Sequence, residues 1–275
     1  MKNNVRGILD IALYAIMFLI IQLFFTYIMA FAMIWIDGDT FNEALAALAN
    51  GKQAGKMIAV SVLGNAMMIC LFTKLKWAPI SRSWLKSKPW GVLFWSACLA
   101  LGTILPSEWI VEQIQYTMPE SAAQLLESIM GEPWGYLAVG ILAPIAEELV
   151  FRGAILRTLL NLTGQRRHWI AIAISAVIFG AAHGNLPQFV HATLIGLLLG
   201  WMYYRTKSIL PGVLFHWVNN TVAYIMFNIM PQMADGKLID LFHGSKNMML
   251  LGLFFSFCIL IPSLLQLCQR MKPVK

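Results

Sequence analysis

The chain has 275 residues, 59% hydrophobic and only 12% charged, with a mean hydropathy of +0.69. Soluble domains carry about a quarter of charged residues, so this composition excludes a soluble globular protein and defines a polytopic membrane protein. The net charge of +7 comes without a basic stripe on a soluble domain, so it is read as a topology signal, with no nucleic acid as partner.

The first apolar run, 8–36, is longer than a bilayer requires, so it tilts or projects beyond the hydrocarbon. The charged start at Lys2 and Arg6 looks like a signal n-region. The run behind it far exceeds the roughly 7–15 residues of a signal peptide, so it is expected to stay as the first membrane helix. Further apolar runs fall at 57–73, 91–111, 133–151, 169–186, 188–204, 209–230 and 248–268. The expectation is therefore an all-α fold of about eight transmembrane helices forming a single integral membrane domain over 1–275. Only the Gly184–Pro187 turn separates the fifth run from the sixth. The outer segment 112–132 carries Glu112, Glu120, Glu127 and Glu132 and reads as a short amphipathic surface helix.

The loops orient this arrangement. With the N-terminus inside, inner segments hold 16 of the 20 Lys and Arg, among them Arg82, Arg152, Arg157, Lys272 and Lys275. Both termini are then cytoplasmic, in the plasma membrane if the source is bacterial. Cys70, Cys98, Cys258 and Cys268 are dispersed without a CxxC pair and read as small core residues.

Polar groups inside the spans are few, and charge in hydrocarbon is costly. Asp10 and Glu108 lie near span ends and read as anchors or caps. The remaining set is Glu147, Glu148, Arg152, His183, His191, His216 and Asn220. Glu148 and Arg152 are four apart with the acid first, the favourable order for an ion pair. Glu147 is rotated about 100° away and has no partner in its own helix. Desolvation disfavours its ionised form, as a general base requires. Both glutamates also read as a solvated helix end.

Phe179 stands four residues before His183 and can flank its ring. His216 and Asn220 are again four apart and can both donate hydrogen bonds to a developing oxyanion. Read singly, each is a helix-packing residue; together, polar groups from three spans need one another around a wet cavity. His191 reads as a supporting or helix-contact residue, His168 as interfacial and His243 as a loop residue. No HExxH, GxSxG or GxGD occurs, and Asp37, Asp39, Asp235 and Asp240 all lie in loops.

EELVFR (Glu147–Arg152), FGAAH (Phe179–His183) and the His216–Asn220 pair resemble the EExxxR, FxxxH and HxxxN motifs of one protease family. This is the CPBP family of intramembrane proteases, the type II CAAX prenyl endopeptidases and Abi bacteriocin-immunity proteins. Their order agrees, with 36 residues from Glu147 to His183 and 33 from there to His216, and the resemblance covers about 133–225. It implies an endopeptidase acting on membrane-associated, prenylated or precursor peptides, with its active site among spans four, five and seven. It implies that Glu147 and His183 activate water, that His216 and Asn220 hold the oxyanion, and that Glu148, Arg152 and Phe179 support them. The family chemistry leaves open a divalent metal such as zinc, on Glu147, His183 and His216, or no metal. A non-catalytic immunity or scaffold protein and a proton-coupled transporter are the competing classes, the latter opposed by the lack of internal repeats.

One expectation conflicts with this site. If span four ends near 151, Glu147 lies close to the inner surface, while His183 is some fourteen residues into span five. Either span five starts deeper or tilts, or the 152–168 segment re-enters the membrane.

Overall fold

In hydrocarbon each backbone N–H and C=O must find its partner within the segment, so long apolar runs fold as helices. The computed structural model describes residues 2–79, 84, 86–230 and 237–271, and among these there is no strand. Arg82, Asp235, Lys272 and Lys275 lie outside the described residues.

The helices in chain order are α1 (Lys2–Ile36), α2 (Phe41–Ala49), α3 (Ala54–Lys74), α4 (Trp90–Glu112) and α5 (Glu120–Met130). Then come the composite α6 (136–163), α7 (His168–Ala181), α8 (Leu186–Thr206), α9 (Leu210–Ile229) and α10 (Lys246–Arg270). Five of them, α1, α3, α4, α8 and α10, are long and apolar enough to cross a membrane. The other three expected spans coincide with α6, α7 and α9. These carry the polar motif residues, and α7 has only 14 residues. The chain is thus an all-helical, polytopic integral membrane protein.

The expected surface helix is α5. A second short helix, α2, was not expected, although Thr40 and Glu43 spell its capping box. The Thr40 side chain accepts from the Glu43 amide, and the Glu43 carboxylate accepts from the Thr40 amide at 2.9 Å. These bonds, the hydroxyl's first, hold the Glu43 carboxyl below its ordinary range. Cys70, Cys258 and Cys268 are exposed, so they face outward and do not fill a core as expected. α1 and α10 likewise present exposed apolar side chains such as Ile8, Leu9, Phe254 and Phe255, a surface suited to lipid.

The centre of the bundle is α6. It is one rod in four parts: a π-helical turn over Tyr136–Leu142, an α-helical turn over Ala143–Glu147, a second π segment over Glu148–Leu156, and an α-helical end over Arg157–Thr163. All nine residues from Glu148 to Leu156 are buried. Gly164, at φ +72°, ends the rod.

This rod removes the depth conflict. The helix does not stop near 151; it continues to Thr163, so Glu147 is mid-rod and the expected span four was drawn too short at its inner end. Arg152 was counted with the inner loops but is fully buried in the bundle. α7 runs antiparallel alongside, with the Ser175 hydroxyl donating to the Phe151 carbonyl at 2.9 Å. That contact lifts Phe179 to the level of Arg152 and His183 one turn further.

Candidate functional site

Pro144 shapes the site from inside α6. In an α-helix the Val139 carbonyl accepts the amide of residue 143; in a π turn it accepts that of residue 144. Here the Ala143 amide goes to Ala138, and Pro144 has no amide to give. The Val139 carbonyl is orphaned by its own helix. Asn220 of α9 fills the gap, its Nδ2 donating at 2.8 Å. Removing that donor leaves a half-buried acceptor unsatisfied, at a cost of about 1–3 kcal/mol. Asn220→Ala and Asn220→Asp, neither of which can donate there, are therefore both expected to lower the melting temperature of the purified protein. Equal melting temperatures for Asn220→Asp and the parent would refute this role.

One turn further, the two glutamates separate. Glu148 is fully buried and pairs with Arg152 at 2.8 Å. α9 can come this close because residue 212 is glycine; a Cβ there would stand 2.6 Å from Glu148 Oε2. The Arg152 guanidinium also lies 4.3 Å over the Phe179 ring. Glu147 points elsewhere and keeps 17% of its side chain exposed. Among the described residues it forms no ion pair or hydrogen bond within its own helix, although Arg152 is near enough to interact with it.

His216 sits between the pair. Its Nε2 is 3.7 Å from Glu147 and its Nδ1 is 3.6 Å from Glu148. Both distances exceed a hydrogen bond, so these are close polar contacts that a small shift would tighten. Phe179, itself 1% exposed, joins the motifs physically. Its ring is edge-on to His183 at 5.1 Å and to His216 at 5.8 Å. His183 stands just past the end of α7, before the left-handed Gly184 that reverses the chain into α8. Its Nδ1 contacts the Phe179 carbonyl at 3.0 Å, which leaves Nε2 for other partners.

The structure therefore gathers Glu147, Glu148, Arg152, Phe179, His183 and His216 around one locus, with Asn220 one turn along α9. Asn220 spends one amide hydrogen on Val139 and retains a second donor. His191 borders this locus, near enough to His183 and His216 to interact with both, and lies 3.7 Å from Glu108 across the α4–α8 contact. The two π segments escaped the sequence reading; Pro144, directly before the glutamates, was their available signal.

A metal centre would need Glu147, His183 and His216 as joint ligands. Among the described residues, no three His, Cys, Asp or Glu side chains are grouped to hold a metal ion. The two ring nitrogens of His216 face two separate carboxylates beyond hydrogen-bond range, and the His183 Nδ1 leans on a carbonyl. The donor set does not fit a preformed three-ligand site.

The fold and this locus define a class: a polytopic helical membrane protein with a glutamate–histidine centre buried among its helices. Residues 129–222 match the family described as Type II CAAX prenyl endopeptidase Rce1-like. Over this segment, about a third of its length, the chain is similar to that family of membrane proteases. It is also 33% identical over 107 residues to a Bacillus subtilis protein named "Putative membrane peptidase YdiL". That match covers 39% of this chain and 43% of the relative, so the chain spans less than half the length of the curated relative it matches. No solved structure matches.

Proposed function

We propose that this protein is an intramembrane endopeptidase that hydrolyses a peptide bond of a membrane-associated peptide or protein. Prenylated C-terminal peptides and peptide precursors are the substrate class, and both termini face the cytoplasm. The observation that carries the reading is the division of the two glutamates. Glu148 is neutralised by Arg152 at full burial, while Glu147 stays accessible and outside that pair, beside His216.

The chemistry follows from this arrangement. Glu147, with His183, accepts a proton from water as the water oxygen bonds to the scissile carbonyl carbon. The carbonyl electrons move to oxygen, and the resulting oxyanion is held by N–H donors of His216 and Asn220. Glu147 then returns the proton to the amide nitrogen as the C–N bond breaks, releasing an amine and a carboxylate. Phe179 and Arg152 keep the two histidines and Glu148 in register.

Membrane proteomics of cells expressing the parent or Glu147→Ala, each with and without a chelator, tests this. The expected result is a set of peptide termini made only by the parent and unaffected by the chelator. Identical termini from both proteins would sink the protease reading, and loss on chelation would sink the metal-free route.

A further inference from the structure

A cavity of about 350 Å³ lies between the first turns of α1 and the last turns of α6. It is away from the glutamate–histidine locus, since Arg157 is ten residues along α6 from Glu147. The two helices touch where Gly7 meets Leu162; a Cβ on Gly7 would come within 2.8 Å of the leucine. The cavity opens beside that contact.

Its inner wall is fixed. The Tyr14 ring is 6% exposed and packs on Phe72 and Trp77 at 5.9 and 5.2 Å. Its hydroxyl has no hydrogen-bond partner among the described residues, and the side chain lines the cavity. A buried phenol ordinarily finds a partner. Arg157 is held beside it, donating one nitrogen to the Trp77 carbonyl at 2.8 Å. The outer wall carries Arg6, Asp10 and Asn161, none with a side-chain hydrogen bond or ion pair among the described residues. Two guanidinium groups against one carboxylate leave the cavity one positive charge in excess.

Position narrows the ligand. This end of the bundle joins the starts of α1 and α7 to the ends of α6, α8 and α10. His168 stacks on Tyr204 there, and Arg205 donates to the Met271 carbonyl. Arg166, Arg167, Arg205 and Arg270 collect at the same level, where anionic headgroups lie. Next to Arg6, the side chains of Val5, Ile8 and Leu9 are 57%, 61% and 63% exposed. A polar, cationic cavity flanked by an open apolar ridge fits an amphiphile better than a small ion. Guanidinium forks match phosphate oxygens.

We propose that this cavity seats the headgroup of an anionic phospholipid. Its phosphodiester lies between Arg6 and Arg157 and accepts from the Tyr14 hydroxyl. Asp10 accepts from a hydroxyl of a glycerol headgroup, and an acyl chain follows Ile8 and Leu9 along α1. The shared chemistry is a phosphoryl anion, and the ridge makes a lipid its carrier. Such a lipid clamps α1 to the rod that holds the glutamates.

The test uses the full chain in detergent, with melting temperature and native mass spectrometry read on adding phosphatidylglycerol, phosphatidylcholine or inorganic phosphate. A ligand of the folded state raises the melting temperature. Phosphatidylglycerol alone is expected to do so. Arg6→Gln should weaken its binding roughly tenfold, the size of one charge-assisted hydrogen bond, without changing the lipid-free melting temperature. Tyr14→Phe removes only the hydroxyl and should weaken it several-fold; together these variants avoid Arg157, whose loss also frees the Trp77 carbonyl. Equal shifts from both lipids, or parental binding by both variants, would overturn the proposal. Stabilisation by inorganic phosphate equal to that by phosphatidylglycerol would overturn the lipid and leave a small-anion site. No outcome depends on proteolysis.

Discussion

Glu147→Gln is expected to give a folded protein that no longer cleaves peptide bonds. The change keeps the side chain's shape and removes its ability to take a proton. General-base catalysis contributes roughly 100- to 10,000-fold, so turnover on a peptide released by the parent should fall by about that factor. Stability should barely move. Glu147 is partly exposed, forms no ion pair within its own helix, and meets His216 only at 3.7 Å. A substitution of this kind away from a buried network stays within about 0.5 kcal/mol. The measurement pairs single-turnover cleavage with thermal unfolding in the same detergent. Parental cleavage by Glu147→Gln would remove this residue from the chemistry. Inactivity with a large drop in melting temperature would place Glu147 in the structure instead.

The contrast between neighbouring glutamates was legible because it rests on helical spacing alone. Four residues carry Glu148 onto the face of Arg152, and one residue turns Glu147 away, in an α-helix or a π-helix alike. The ring contacts of Phe179 with His183 also follow from a spacing of four. What escaped was the end of span four. By sequence Arg152 and Arg157 look like loop charges marking the membrane edge, but a charge marks that edge only if water solvates it. Arg152 is neutralised by Glu148 instead, and the helix runs past it. The role of Asn220 was hidden for another reason. Its partner, the Val139 carbonyl, becomes free only through the backbone accounting around Pro144, which requires knowing where the Ala143 amide goes. The short α2, at nine residues, falls below the length of any membrane run, so only its capping box marks it in the sequence.

Arg152→Leu is expected to be the most destabilising single substitution in the molecule, and a second change should rescue it. The pair Glu148–Arg152 is completely buried, with side-chain exposures of 0% and 1%. Removing the arginine strands a carboxylate among apolar side chains, which costs about 3–5 kcal/mol. Glu148→Leu strands the guanidinium and should cost a similar amount. Gly196 offers only a weak alternative acceptor, its carbonyl 3.5 Å from Nη2. Replacing both partners by leucine removes the stranded charge in either direction, so the double variant should recover most of the lost stability. His216 supplies the functional readout. Its Nδ1 faces Glu148 at 3.6 Å, so the refolded double variant loses the group that faces that ring nitrogen. It should therefore unfold near the parental temperature yet cleave slowly. If the double variant cleaves at the parental rate, Glu148 and Arg152 serve the fold alone; if its destabilisation equals the sum of the two single costs, they do not act as a pair.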